Sequence, residues 1–90
     1  ASEAKSLGLV NHVTLPEILL EHTKQILTVI NTKAPLAVAG CIKAANAVFD
    51  ETQNGYDAEV REFGNCFDTE DKQEGIAAFL EKRKAAFKGR

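Results

Sequence analysis

The feature that most constrains the fold is an almost entirely apolar segment that begins at Pro35 and ends at Phe49. Lys43 is its only charged residue, and its apolar side chains occupy most of the circumference of a helix. A helix of this kind is buried on most sides. The other helices that a chain of 90 residues can form are too few to cover it. We therefore expect this segment to contact further polypeptide.

Three more helices are predicted around the apolar segment. Thr14, Pro16 and Glu17 form the pattern of a capping box, which predicts the start of the first one. An Asn-Gly turn precedes the third helix, and Thr69 is a candidate cap for the fourth. The predicted bounds are Leu15–Asn31, Pro35–Thr52, Tyr56–Phe67 and Glu70–Lys84.

The residues before these helices are typical of a helix that is ending. Good helix formers up to Leu7 are followed by Gly8, a common residue at a helix C-terminus. Because this helix has no beginning in the sequence, we expect residues 1–90 to form a single helical domain of a longer protein. Residues 9–13 form at most one short extended segment, and few β-branched runs are available for a sheet. The predicted fold class is all-α, with about four helices.

The charges of the chain are unevenly distributed. Thirteen acidic and eleven basic residues give a formal charge of −2, whereas nucleic-acid-binding domains are normally basic. Residues 50–71 hold eight acidic side chains and one basic one, and residues 72–90 hold six basic and two acidic ones. We interpret these stretches as solvated helix faces of opposite sign, with phosphate binding by the basic tail as the alternative. No nucleic-acid partner is expected.

Two further features bear on the compartment. No apolar run approaches the ~20 residues of a membrane-spanning helix, so no membrane partner is expected. Cys41 and Cys66 lack the spacing of a disulfide framework or a metal site and are expected to be reduced thiols of a cytoplasmic protein. Cys41, inside the apolar segment, is expected to be buried.

The chain carries no known catalytic or metal-binding motif, including phosphate loops and the HExxH, CxxC and GxSxG patterns. His12 and His22 are ten residues apart and have no third ligand nearby, so no metal site is expected. His22 belongs to the apolar stripe of its helix and is interpreted as a packed side chain.

Two stretches carry a resemblance to a known family. They are EAKSLGLVN, from Glu3 to Asn11, and FDTEDKQEGIAAFLEKRK, from Phe67 to Lys84. In order and spacing they resemble the C-terminal third of an enoyl-CoA hydratase of the crotonase superfamily, and the resemblance extends over essentially the whole chain. It implies a longer parent enzyme that hydrates 2-enoyl-CoA thioesters to 3-hydroxyacyl-CoA in fatty-acid metabolism.

The resemblance also implies what this part of the enzyme contains. The β/α spiral core of the family, with its backbone oxyanion donors and two catalytic glutamates, lies outside this chain, so no catalytic residue is assigned here and the chain alone is expected to be inactive. The glutamates of the chain do not match the catalytic pair; they include Glu59, Glu62, Glu74 and Glu81. The helical region packs within a trimer in the family, which implies neighbouring subunits of a homo-oligomer as partners.

Three residues match family positions that line the acyl-CoA site. Phe63 matches an aromatic residue near the acyl or pantetheine end, Phe79 an aromatic residue near the nucleotide, and Lys82 a lysine that faces a CoA phosphate. In a continuous helix Phe79 and Lys82 would share a face. The alternative is that both phenylalanines are core residues and Lys82 is a solvated lysine. No cofactor is implied, since acyl-CoA is the substrate. A free-standing helical interaction module is the rival interpretation of the chain as a whole.

Overall fold

The computed structural model describes residues 1–90, which form α-helices, one short 3₁₀ turn and connecting segments, with no β-strand. The all-α prediction is therefore confirmed, and residues 9–13 form no strand. The helices are α1 (Ser2–Ser6), α2 (Pro16–Ile30), α3 (Pro35–Asn46), α4 (Gly55–Phe67) and α5 (Glu70–Leu80), and the 3₁₀ turn Ala47–Phe49 follows α3.

The helix starts follow local chemistry at three of four sites. Pro35 is the first residue of α3. The amides of the first helical turn have no partner within the helix, so the N–H that proline lacks is not needed there. The side chain of Asn54 accepts a hydrogen bond from the Tyr56 amide at 2.9 Å and caps α4. Thr69 caps α5 by accepting one from the Lys72 amide at 3.1 Å.

The capping box predicted at Thr14 is wrong. The N-cap of α2 is Leu15, which makes no side-chain capping bond and has an extended backbone with φ −69° and ψ 148°. The physical reason is Pro16, because a proline disfavours the helical conformation of the residue that precedes it. The helix boundary therefore lies between Leu15 and Pro16.

The apolar helix is shorter than the predicted Pro35–Thr52. Its α-helical part ends at Asn46, and the backbone leaves the 3₁₀ turn at Asp50 with φ −103° and ψ 101°. The Asp50 carboxylate accepts hydrogen bonds from the Thr52 amide at 3.0 Å and from the Gln53 side chain at 2.7 Å. Such local bonds offer the backbone an alternative to the helix.

The main packing between helices joins α3 to α4. It uses small side chains: Gly40 is buried in α3, Ala58 in α4 and Ala47 in the 3₁₀ turn between them. A Cβ atom added at Gly40 would lie 3.7 Å from the Cβ of Glu62, so the helices approach closely there. Since α4 covers only one side of α3, Cys41 is exposed, and the prediction that it is buried is wrong for this chain.

Most large apolar side chains remain exposed, and only five of the 90 residues are buried. The accessible surface is 7615 Å², whereas a compact protein of 9.8 kDa exposes about 5,200 Å². The radius of gyration is 16.7 Å, against about 12 Å for a compact chain of this length. The helices therefore do not enclose a core of their own.

No single helix is long and apolar enough to span a membrane; one pair, Pro16–Ile30 with Pro35–Phe49, meets that criterion only jointly and is bent by 107°.

Candidate functional site

The candidate site lies at the C-terminal end of α5. Phe79 is in the last turn of the helix with 82% of its surface exposed, and Lys82 is an exposed residue just beyond it. The prediction that α5 continues to Lys84 is wrong, since the helix ends at Leu80. Lys82 and Phe79 therefore do not share a helical face as predicted.

The end of α5 is a Schellman motif, a hydrogen-bonded reversal of the chain at a helix C-terminus. The amide of Lys82 donates to the Phe79 carbonyl at 3.3 Å, and the amide of Arg83 donates to the Ala78 carbonyl at 3.0 Å. Lys82 has φ +54° and is the only residue other than glycine with a positive φ. The motif brings the backbones of Phe79 and Lys82 together by a different route from the one predicted.

The residues after Lys82 form a strap, residues 83–90, that runs back along α5. The Arg83 guanidinium holds the Glu74 carboxylate with two bonds, Nη1 to Oε1 at 2.6 Å and Nη2 to Oε2 at 2.9 Å. The Ala86 amide donates to the same Oε1 at 2.7 Å. The Arg83 bonds, followed by the Ala86 amide, lower the pKa of Glu74 to about 2, and the same carboxylate raises the pKa of Arg83.

The far end of the strap is held by Asp71, whose side chain is buried. Its Oδ1 accepts a hydrogen bond from the Lys88 amide at 2.7 Å, and its Oδ2 accepts one from the Gly89 amide at 2.8 Å. The Asp71 amide donates to the Arg90 carbonyl at 2.9 Å. Between the two anchors, the Phe87 ring packs so closely on Gly75 that an added Cβ would lie 3.4 Å from it.

Phe63, the third predicted contact residue, lies on α4 and is 66% exposed. Its ring packs edge-to-face on Phe67 with 5.1 Å between centroids, and Lys72 Nζ lies 5.1 Å from the centroid of the Phe67 ring. The structure thus places Phe79 and Lys82 at one helix end and Phe63 on a different helix.

The sequence pattern did not identify Asp71 and Glu74 as part of the site. Asp71 and Glu74 bind backbone and side-chain donors 9 to 18 positions away, and nothing in their local pattern distinguishes them from helix-surface acids. His12 and His22 lie edge-to-face with 5.1 Å between ring centroids, and His22 Nε2 is buried without a hydrogen-bond partner. No group of three His, Cys, Asp or Glu side chains is arranged to hold a metal ion.

The family model described as enoyl-CoA hydratase/isomerase matches residues 1–90. The chain belongs to the enoyl-CoA hydratase/isomerase family. It is 46% identical over 88 residues to crotonyl-CoA hydratase of Syntrophomonas wolfei, an alignment that covers 97% of this chain and 34% of the relative. It is 39% identical over 94 residues to short-chain-enoyl-CoA hydratase of Clostridium acetobutylicum, covering 100% of this chain and 35% of the relative.

The fold comparison agrees with the sequence comparison. The crystal structure of enoyl-CoA hydratase from Bacillus anthracis superimposes with a TM-score of 0.90 at 33% identity, covering 100% of this chain and 35% of that structure. The helices therefore have the arrangement found in one part of the crotonase fold. The chain spans about a third of the length of the relatives that it matches.

Proposed function

We propose that the chain is the C-terminal part of an enoyl-CoA hydratase, an enzyme that adds water across the 2,3-double bond of an enoyl-CoA thioester to give 3-hydroxyacyl-CoA. The observation that carries the proposal is a family match over the whole chain to relatives about three times its length, two of them named as hydratases. The exposed apolar surface supports it, because helices without a core of their own require further polypeptide to cover them.

In this proposal the chain contributes binding rather than chemistry. Hydration of the double bond requires donors that polarise the thioester carbonyl and carboxylates that transfer protons. Those groups belong to the remainder of the parent enzyme, as the family resemblance implies. The chain alone then has no catalytic residue and no hydratase activity.

The proposed contacts to CoA follow from the chemistry of each side chain. Lys82 is an exposed cation at the end of α5 and binds a phosphate as a point charge. Phe79, largely exposed beside it, offers apolar surface to the adenine. Phe63, on α4, contacts the pantetheine or acyl end of the substrate.

The second proposed role is assembly. Helix α2 exposes a stripe of apolar side chains, and we assign their cover to the parent enzyme and to neighbouring subunits of a homo-oligomer in the cytoplasm. The most exposed large side chains of α2 are Ile18, Leu19, Leu20, Leu27 and Val29.

The CoA contact is tested with Lys82→Ala in the full-length enzyme, meaning the natural polypeptide that contains this chain. A nucleotide phosphate is remote from the reacting double bond, so its contact stabilises ground state and transition state alike. We expect KM for the acyl-CoA substrate to rise about 2- to 10-fold with kcat unchanged, and the effect to shrink with added salt.

Two controls sharpen this test. The matched variant Lys84→Ala removes an exposed lysine two residues away and should leave KM unchanged. An acyl-pantetheine substrate, which lacks the nucleotide, should not distinguish Lys82→Ala from the wild type. A fall in kcat that is equal for both substrates would show that Lys82 supports packing instead of binding the phosphate.

The alternative is a free-standing helical interaction module that uses its exposed apolar surface for docking. The exposed surface of 7615 Å² is also expected for this alternative. The length of the natural open reading frame distinguishes it from the hydratase proposal. A natural open reading frame about three times as long as this chain supports the hydratase part. A frame that encodes only these residues supports the module.

A further inference from the structure

We infer that Asp71 and Glu74 are positioning residues, which hold the strap against α5 and thereby fix Lys82 in the backbone conformation from which it contacts the CoA phosphate. The inference rests on the proposed function, since it concerns the residue that we assign to the phosphate.

The backbone of Lys82 has an unusual conformation for a residue with a side chain. A left-handed conformation is less favourable than the right-handed one for a residue with a side chain, and glycine is the usual residue at this position of a Schellman motif. Lys82 adopts it with φ +54°. A residue persists in such a conformation only where surrounding contacts stabilise it.

Without those contacts, the residues around Lys82 would favour a longer helix. Leu80, Glu81, Lys82, Arg83 and Lys84 all have high helix propensity, and neither glycine nor proline interrupts them. Their intrinsic preference is a continued helix, as the periodicity predicts. In that helix Lys82 would have a negative φ, and its side chain would leave the backbone in another direction.

Arg83, the residue that follows Lys82, is held in place by its side chain. The amide of Lys82 donates a hydrogen bond to α5. On the C-terminal side of Lys82, the Glu74 carboxylate accepts two hydrogen bonds from the Arg83 guanidinium. A two-point bond between planar groups fixes orientation as well as distance. Within the turn, Arg83 Nε also donates to Glu81 Oε2 at 2.6 Å. Glu74 adds a restraint from nine positions away, so Lys82 lies between two fixed neighbours.

The far end of the strap is held by Asp71. The carboxylate of Asp71 binds two successive amides, those of Lys88 and Gly89, at 2.7 and 2.8 Å, and it is itself buried. These bonds keep residues 84–90 folded back, so the chain cannot straighten into a longer helix. Asparagine at position 71 would place an N–H donor against one of the two amide donors.

The experiment measures KM and kcat of the full-length enzyme with Glu74→Gln, with Lys82→Ala and with the double variant. We expect Glu74→Gln to raise KM for acyl-CoA about 2- to 5-fold, with kcat unchanged and with no effect on an acyl-pantetheine substrate. In the Lys82→Ala background the same change should raise KM no further, because residues that act through one contact are not additive.

The matched control is Glu59→Gln, which removes one negative charge from an exposed position on α4. It should leave KM for acyl-CoA unchanged, which separates positioning from a general change in the charge of the enzyme. If Glu74→Gln does not yield folded enzyme, Arg83→Lys keeps the charge and removes the planar fork. Asp71→Asn tests the other anchor of the strap. Both Arg83→Lys and Asp71→Asn should raise KM for acyl-CoA with kcat unchanged, as expected for Glu74→Gln.

The outcomes distinguish the inference from the function on which it rests. An unchanged KM in Lys82→Ala overturns the phosphate contact and the inference together. A raised KM in Lys82→Ala with an unchanged KM in Glu74→Gln overturns the inference alone. An additive double variant, or an equal effect on acyl-pantetheine, also overturns the inference, because Glu74 would then act through general structure.

Discussion

Helices α1 and α5 end in the same motif with different residues at its left-handed position. At the end of α1 the Gly8 amide donates to Lys5 at 3.1 Å and the Leu9 amide to Ala4 at 2.9 Å, with φ +73° at Gly8. At the end of α5 the corresponding residue is Lys82, with φ +54°.

The surroundings of the two ends differ as much as their residues. A Cβ atom added at Gly8 would meet nothing within 4 Å, so the reversal there depends on glycine's own conformational freedom. At Lys82 the reversal is made by a residue that disfavours it, and the strap is bonded to α5 through Glu74 and Asp71. One reversal is therefore local in origin, and the other depends on residues distant in sequence.

The largest effect is expected from the buried anchor of the strap. Asp71→Asn should lower the free energy of unfolding of the full-length enzyme by about 2–4 kcal/mol, because a buried charged acceptor loses part of its bonding and gains an opposed donor. Calorimetric unfolding measures it. Glu70→Gln, which removes the exposed ion pair with Arg90, should cost at most about 1 kcal/mol. Equal losses of stability in Asp71→Asn and Glu70→Gln would show that the burial of Asp71 does not make its bonds more stabilising.

A smaller loss of stability is expected at the end of α1. Gly8→Ala should cost about 1 kcal/mol, since alanine disfavours φ +73° although space is available for its methyl group. Gly64→Ala is the control: Gly64 lies inside α4 with open space and no positive φ, so it should gain about 0.5–1 kcal/mol. If Gly8→Ala and Gly64→Ala lose stability equally, the loss at Gly8 comes from packing and not from the backbone conformation.

Lys82→Gly would make the end of α5 chemically similar to the end of α1. Glycine removes the conformational cost, and its greater freedom in the unfolded chain offsets part of the gain, so we expect about 0.5–1 kcal/mol of added stability. KM for acyl-CoA should nevertheless rise as it does in Lys82→Ala. Thermal unfolding and steady-state kinetics on the same variant test both statements, and a loss of stability would contradict the strain assigned to Lys82.

The smallest effect concerns pH, and only the α5 end should show it. The pKa of Glu74 is lowered from 4.5 to about 2 by Arg83 and Ala86. The stability that this carboxylate contributes is therefore complete above pH 4.5 and is lost as the pH falls towards 2. In Glu74→Gln the unfolding temperature should depend less on pH between 5 and 2. An unchanged pH dependence would show that the Glu74 bonds to the strap do not stabilise the fold.

Local signals predicted most helix starts and failed where two of them competed. The Asn-Gly turn before α4, the cap at Thr69 and the proline at the start of α3 correspond to bonds or conformations within three residues. The capping bond of Asn54 itself was not predicted and is seen only in the structure. At Thr14 the capping pattern was present, but Pro16 forces its predecessor out of the helical conformation, so the boundary moved to Leu15.

The candidate site was also predicted from the sequence only in part. Its residues Phe63, Phe79 and Lys82 followed from the resemblance of the sequence to a family. Their helical placement was correct for the two phenylalanines, which follow the periodicity of α4 and α5. The placement of Lys82 in a helix was wrong, because the strap imposes the end of α5 from outside the helix.

The sequence by itself determined the all-helical class, the apolar faces and the family, because these depend on composition, periodicity and the order of residues. Only the tertiary structure decided that α5 stops at Leu80 and that Lys82 reverses the chain. Local propensity favours the helix there. The alternative prevails because Asp71 and Glu74 bond to residues 9 to 18 positions away, and the stabilisation that these bonds supply exists only once the chain has folded back.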